Sequence, residues 1–137
     1  MAGAPVEVLR QVPLFAELEA GELEQVARLF KRRTFSAGET VTKEGSGGAA
    51  FFLIESGQAE VTVRGKPRPP LQSGDHFGEI ALIDGQERTA TITAGDELSC
   101  YGLTYWDFQP LVQENAAIAW GLLQSVAKML RRAQGDE

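Results

Sequence analysis

The residues best suited to chemistry lie in one segment, residues 74–94, which reads GDHFGEIALIDGQERTATITA. The stretch from Gly78 to Ile83 favours helix but is short, so we predict a single helical turn there. The first backbone N–H groups of such a turn are unpaired and attract anions, and Gly78 lets a ligand approach them closely. Arg88 follows in the same segment, and a guanidinium binds two phosphate oxygens at once. The segment therefore predicts an anion-binding site.

The carboxylate of Glu79 narrows the class of anion. It would repel a bare phosphate, but it accepts hydrogen bonds from hydroxyl groups such as those of a ribose. A second interpretation stays open, in which Arg88 is a surface strand residue or forms an ion pair with Glu79 or Glu87. In that interpretation Glu79 is a solvated helix charge. His76 is expected at a strand end or in a loop, away from the ligand.

Glycine-marked turns recur at short intervals between residue 34 and residue 103, and they separate short β-favouring runs. Such spacing is typical of a β-sandwich, jelly roll or barrel. The sequence 65–70, GKPRPP, predicts a loop because of its glycine and prolines. The predicted strands are Thr40–Lys43, Ala50–Ile54, Ala59–Val63, Thr91–Ala94 and Cys100–Leu103.

Helical patterns flank this β region on both sides. Apolar residues on one helical stripe predict a helix ending near Phe30. Lys31–Arg33 would complement the negative C-terminal dipole of that helix, with binding of an anion as the less favoured alternative. Thr104 and Asn115 are predicted N-caps of two further helices. The second covers residues 116–133, with a predicted apolar side. That side consists of Ile118, Leu122, Leu123, Val126, Met129 and Leu130.

Composition excludes several classes of protein. The chain has 137 residues, which supports one core and no second ordinary domain. A single cysteine, Cys100, cannot form an intrachain disulfide or a zinc finger, and a lone histidine disfavours a metal-dependent jelly-roll enzyme. The net charge of −6 argues against a dedicated nucleic-acid-binding domain. No signal peptide or membrane-spanning stretch is evident, so we expect a cytoplasmic protein without membrane partners.

The stretch FGEIALIDGQERTAT, residues 77–91, resembles the phosphate-binding cassette of cyclic nucleotide-binding domains. That family includes catabolite-activator-type regulators and protein kinase regulatory subunits. The resemblance implies a mainly β fold, a double-stranded β-helix (jelly roll or β-roll) with N-terminal helices and a C-terminal helical lid. It implies one domain over residues 1–137, with N-terminal helices over 5–33, the β-roll over 34–103 and C-terminal helices over 104–134.

The resemblance also implies roles for individual residues, with cAMP or cGMP as ligand and no cofactor. Arg88 would pair with the cyclic phosphate, while Glu79 and the backbone of Gly78 would hold the ribose 2′-hydroxyl. Thr89 would use its hydroxyl on the phosphate or on a syn guanine. Phosphate oxygens would also contact N–H groups around Ile80, Ala81 and Ala90. A wall and lid over the purine are predicted from Val61, Trp120, Leu123 and Val126.

Three function classes follow. The first is a sensor that binds cAMP or cGMP and relays binding to a protein effector by movement of its C-terminal helices. The second is a dimerisation or docking module with an empty or altered pocket, which Glu87 favours because the family usually has proline there. The third, a jelly-roll metal enzyme, is disfavoured, so we predict no enzyme. The last helix either pairs with its copy in a homodimer or closes over the pocket. The chain ends at Glu137, without a helix-turn-helix, so direct nucleic-acid binding is not expected.

Overall fold

Two four-stranded antiparallel sheets form the centre of the computed structural model, which describes residues 3–45, 50–86 and 90–135. One sheet has the strand order β1-β8-β3-β6 and the other β2-β7-β4-β5. The strands are β1 Lys31–Phe35, β2 Thr40–Thr42, β3 Ala50–Ser56, β4 Gln58–Val63, β5 Lys66–Gln72, β6 His76–Phe77, β7 Thr91–Ala94 and β8 Leu98–Thr104. The helices are α1 Val6–Leu9, α2 Ala20–Ala27, α3 Glu79–Asp84, α4 Tyr105–Gln113 and α5 Ala116–Gln134, with a 3-10 turn at Pro13–Phe15. The five strands predicted from glycine spacing are all present.

Strand β3 is buried on both faces, which explains its nearly continuous apolar sequence. Phe52 and Ile54 pack between the two sheets, in a cluster that also holds Cys100 of β8. Phe51 and Leu53 pack on the opposite face, against the helices. The β-roll therefore has one core between its sheets and a second core beneath its helices.

The helical core is organised around Phe15 of the 3-10 turn. Its ring meets those of Phe30, Phe51 and Phe108 edge to face, with centroids 5.6–6.4 Å apart. Edge-to-face contacts place the positive rim of one ring on the negative face of another. These contacts join the N-terminal region, β3 and α4 into one unit.

The basic residues Lys31–Arg33 lie in strand β1, and the prediction that they cap a helix is wrong. Helix α2 ends at Ala27 with Arg28 as its C-cap, so the N-terminal helices stop before residue 33. Pairing with β8 decides the conformation, since Lys31 lies opposite Gly102 and Phe35 opposite Leu98. Tertiary strand pairing thus outweighs the local charge pattern.

The predicted loop at residues 65–70 is also wrong, because residues 66–72 form strand β5. Arg64 (φ +53°) and Gly65 (φ +77°) make the two-residue turn that joins β4 to β5. Prolines are tolerated because β5 is an edge strand. Pro69 and Pro70 together stand opposite a single residue of β4, in a β-bulge where ladder donors are not required.

Both predicted caps of the C-terminal helices are confirmed. Thr104 Oγ1 accepts a hydrogen bond from the backbone N–H of Asp107 at 3.1 Å, and Asn115 Oδ1 accepts one from Ile118 N–H at 3.1 Å. The predicted apolar side of α5 is only partly correct: Ile118 and Leu122 are buried, whereas Leu123, Val126 and Leu130 are exposed. In the part of the chain that the structure describes, no helix is long and apolar enough to cross a membrane.

Helix α5 is held against the residues that follow the 3-10 turn. The backbone N–H of Glu17 donates to Ser125 Oγ at 3.4 Å, and Lys128 Nζ lies 2.9 Å from Glu17 Oε2. A Cβ built on Gly121 would stand 2.7 Å from Leu18 Cδ2, so the two segments are in close contact. The inward face of α5 is therefore set by residues of the N-terminal region.

Candidate functional site

A cavity of about 310 Å³ lies between helix α3 and the sheet that contains β2 and β7. Five of its lining residues were predicted from the sequence: Gly78, Glu79, Ile80, Ala81 and Ala90. The other lining residues are Thr42, Phe77, Asp84, Gln86 and Ile92. We call this cavity the α3 cavity.

Glycines bound the short helix of this cavity on both sides. Gly78 (φ +91°) is the N-cap of α3 and Gly85 (φ +69°) its C-cap, both in the left-handed region that favours glycine. The helix begins its own hydrogen bonding when Leu82 N–H donates to Gly78 C=O at 3.1 Å. The N–H groups of Ile80 and Ala81 precede that bond, so they have no backbone acceptor within the helix. The predicted helical turn with available donors is present.

Glu79 is the carboxylate of the cavity wall. Its side chain is only 21% exposed, and its Oε2 lies 3.3 Å from Nδ1 of His76. Burial opposes ionisation of this carboxyl, but the contact with His76 and a hydrogen bond from the backbone N–H of Glu79 together outweigh it, and the pKa of Glu79 lies below its usual value. The cavity therefore presents an ionised carboxylate at neutral pH.

The β side of the cavity is formed by strands β2 and β7, of which β2 is distant in sequence from α3. Ile92 of β7 lines the cavity and is paired with Val61 on one side and with Thr42 on the other. Val61 is half-buried and packs against the core between the sheets. It stands beside the lining residue Ile92 without being part of the lining itself.

The remaining predicted site residues fall into two groups, those outside the described residues and those on helix α5. Arg88 and Thr89, together with Glu87, lie outside the described residues. Leu123 and Val126 are 60% and 39% exposed on α5, and neither they nor Trp120 line the cavity. In this structure α5 packs on α4 and the N-terminal region instead. A lid made by these residues stays a prediction that would require α5 to move.

Sequence reasoning missed five of the lining residues. Phe77 and Asp84 carried a signal, since both lie in the same segment as Gly78. Ile92 also lies within the segment 74–94, but the sequence placed it only in a strand. Thr42 carried no signal, because it reaches the cavity only through the pairing of β2 with β7. The cassette segment is therefore found from local sequence, whereas the opposite wall depends on strand order.

A separate polar cluster lies on the sheet β1-β8-β3-β6, away from the α3 cavity. Glu55 Oε1 accepts from Ser99 Oγ at 2.8 Å and lies 2.8 Å from Arg32 Nη1, while Oε2 accepts from Tyr101 Oη at 3.0 Å. The Ser99 hydrogen bond, aided by Tyr101 and Arg32, lowers the pKa of Glu55 against the opposing effect of burial. Burial and the adjacent Glu55 raise the pKa of Tyr101.

Comparison with known proteins fits this geometry. The sequence profile described as the cyclic nucleotide-binding domain matches residues 32–115, more than half of the chain. The chain belongs to the cyclic nucleotide-binding domain family. The family predicted from residues 77–91 is confirmed, and so is the double-stranded β-helix fold with flanking helices.

Relatives with known names span several kinds of protein. The chain is 38% identical over 106 residues to a cAMP-dependent protein kinase regulatory subunit of Yarrowia lipolytica, covering 76% of this chain and 28% of that one. It is 35% identical over 100 residues to a cGMP-dependent protein kinase of Eimeria tenella, covering 72% and 10% respectively. These two relatives are thus more than three times as long as the part that this chain matches.

A solved structure shows the same fold. It is the N-terminal domain of a transcriptional regulator from Streptomyces coelicolor A3(2), with a TM-score of 0.83 and 29% sequence identity. The match covers 92% of this chain and 94% of that one. The helices and the β-roll are therefore shared together, and the likeness is not confined to the sheets.

Proposed function

We propose that this chain is a regulatory module that binds a cyclic nucleotide, cAMP or cGMP, in the α3 cavity. The observation that carries the proposal is the composition of that cavity. One wall combines the first N–H groups of α3, which have no backbone acceptor within that helix, with the ionised carboxylate of Glu79. N–H groups suit a phosphate, and a carboxylate suits a hydroxyl donor, so a ligand that carries both groups fits better than phosphate alone.

The proposed contacts of each ligand group are those that the resemblance of residues 77–91 to the phosphate-binding cassette implies. The cyclic phosphate would meet the N–H groups of Ile80, Ala81 and Ala90 and the guanidinium of Arg88, with the hydroxyl of Thr89 on the phosphate or on guanine. The ribose 2′-hydroxyl would donate to Glu79 and lie against the backbone of Gly78. The base would extend toward Val61. The chain carries a net charge of −6, so binding of an anion depends on this local set of donors.

A physical connection between the cavity and the C-terminal helices supports the proposed relay. Leu82 of α3 is buried in the same apolar cluster as Phe108 of α4 and Leu122 of α5. A Cβ built on Gly85 would stand 3.4 Å from the ring of Tyr105, so the end of α3 also contacts the start of α4. Movement of α3 on binding would therefore displace α4 and α5, the surface offered to a protein effector. A ligand shifts that equilibrium only by its different affinity for the two helix positions.

Isothermal titration calorimetry with cAMP, cGMP and the open 5′-AMP tests the binding proposal. We expect saturable binding of a cyclic nucleotide and at least tenfold weaker binding of 5′-AMP. Arg88→Lys keeps the charge but removes the planar fork, so affinity should fall about tenfold or more. Arg68→Lys is the matched control, because Arg68 is exposed on the edge strand β5 and is not part of the cavity lining. Equal affinity of the Arg88→Lys variant and the wild type would contradict the phosphate assignment.

The second candidate function is a docking module with an altered pocket. Two observations favour it: Glu87 stands where the family usually has proline, and α5 exposes Trp120, Leu123 and Leu130. Exposed apolar side chains on one helix are typical of an interaction surface. If neither nucleotide binds at millimolar concentration, sedimentation analysis of the wild type and of Leu123→Glu decides whether α5 forms a homodimer.

A further inference from the structure

The single histidine of the chain lies beside the carboxylate of the α3 cavity. His76 belongs to β6, just before α3, and its side chain is 23% exposed. The Nδ1 atom is buried and approaches Glu79 Oε2 at 3.3 Å, yet no hydrogen-bond acceptor is aligned with it among the described residues. A buried polar nitrogen without an aligned partner is unfavourable. A small rotation of the Glu79 carboxylate would satisfy it.

The other surroundings of the imidazole are apolar or already hydrogen-bonded. The ring of Phe51 in β3 lies 5.6 Å from it, and Leu53 of β3 stands opposite it in the sheet. The acidic groups on adjacent segments bind elsewhere: Glu55 binds Ser99, Tyr101 and Arg32, Asp75 binds the N–H of Gln72, and Asp84 binds the N–H of Gln86. Within the described ranges, Glu79 is therefore the acidic group that His76 meets.

We propose that His76 is a positioning residue, which holds the Glu79 carboxylate for the ribose 2′-hydroxyl. The inference rests on the proposed function, since Glu79 has a ribose to bind only if the ligand is a nucleotide. His76 acts through Glu79, because it does not itself line the cavity. Once the carboxylate rotates so that Oε2 accepts from the imidazole, Oε1 could accept from the hydroxyl.

Calorimetric titration of the wild type and two His76 variants tests this inference, with whichever cyclic nucleotide binds the wild type more tightly. His76→Asn places an amide N–H near the position of Nδ1, so it should keep most of the wild-type affinity. His76→Phe fills the space beside Phe51 without a donor, so its affinity should fall about three- to tenfold.

The possible failures are distinguishable. Equal affinity of His76→Phe and the wild type, or a loss in His76→Asn as large as that in His76→Phe, overturns this inference and leaves nucleotide binding intact. Absence of binding by the wild type overturns the proposed function and this inference with it. A ligand-free measurement adds a second criterion: carbon NMR should show a higher pKa of Glu79 in His76→Phe than in the wild type. An unchanged Glu79 pKa would contradict the positioning role.

Discussion

The ring of Phe77 stacks on the ring of Phe52, with centroids 5.3 Å apart and 29° between the ring planes. Phe77 lines the α3 cavity, whereas Phe52 is buried in the core between the two sheets. Gly78 follows Phe77 directly, so this one contact fixes the entry to α3. The geometry of the cavity is thereby tied to the packing of the β-roll.

Replacement of Phe77 by alanine tests this connection. We expect Phe77→Ala to lower the free energy of unfolding by about 2–4 kcal/mol, because it leaves a cavity against Phe52. Urea denaturation followed by circular dichroism measures the change. The control is Leu130→Ala, an exposed position on α5, which should change the value by less than about 0.5 kcal/mol. Equal effects of the two substitutions would mean that the stacked pair does not contribute to stability.

Gly57 and Gly38 form a matched pair for a test of close backbone contact. Both have positive φ, +94° and +86°, so alanine is strained at either position. A Cβ on Gly57 would also stand 2.9 Å from Leu98 Cα, whereas a Cβ on Gly38 meets nothing within 4 Å. We expect Gly38→Ala to lower the free energy of unfolding by about 1–2 kcal/mol and Gly57→Ala by about 3 kcal/mol or more. A difference near zero in urea denaturation would show that the turn relaxes away from Leu98.

Acid should weaken the cluster around Glu55. Since the pKa of Glu55 is lowered on folding, the cluster contributes stability above the ordinary value of 4.5, and this is lost as pH falls through the lower folded value. Glu55→Gln should therefore flatten the fall in the urea midpoint below pH 4.5, whereas Glu24→Gln, an exposed substitution on α2, should not. If the urea midpoints of both variants fall with pH as the wild-type midpoint does, the cluster makes no net contribution to stability.

The thiol of Cys100 should be unreactive in the folded protein. Burial raises its pKa to about 11, with Arg33 opposing the rise, so little thiolate forms at pH 8. A chromogenic disulfide reagent should modify it slowly in buffer and rapidly in concentrated urea. Rapid modification without denaturant would indicate that the strands around Cys100 open readily.

Much of the fold could be predicted because glycine marks its turns. The strands that follow such turns alternate or are continuously apolar, and both caps of the C-terminal helices use ordinary cap residues, Thr104 and Asn115. The two errors have a common physical cause. Both stretches, Lys31–Arg33 and residues 65–70, have local sequences that disfavour strands. The first belongs to a strand only because β1 pairs with β8, and most of the second only because β5 pairs with β4.

The predicted site residues divide in the same way, into those that local sequence identifies and those that depend on long-range contacts. Gly78, Glu79, Ile80 and Ala81 were predicted because their chemistry lies in consecutive residues. The exposure of the predicted lid residues Leu123 and Val126 depends on the rotation of α5 about its own axis. The sequence does not decide that rotation, because it carries apolar residues on more than one side of the helix. Contacts of Gly121 and Ser125 with Leu18 and Glu17 set that rotation, and such long-range contacts leave no local pattern.

The proline-bearing edge strand β5 also affects how copies of the protein meet. An edge strand ordinarily offers a row of free N–H and C=O groups to which a foreign strand can add. Pro67, Pro69 and Pro70 supply no N–H, and the bulge at Pro69 and Pro70 disturbs the spacing of the groups that remain. Fibre-like stacking of β-rolls through this edge is therefore disfavoured. Concentrated solutions of the protein should resist aggregation at this end of the sheet.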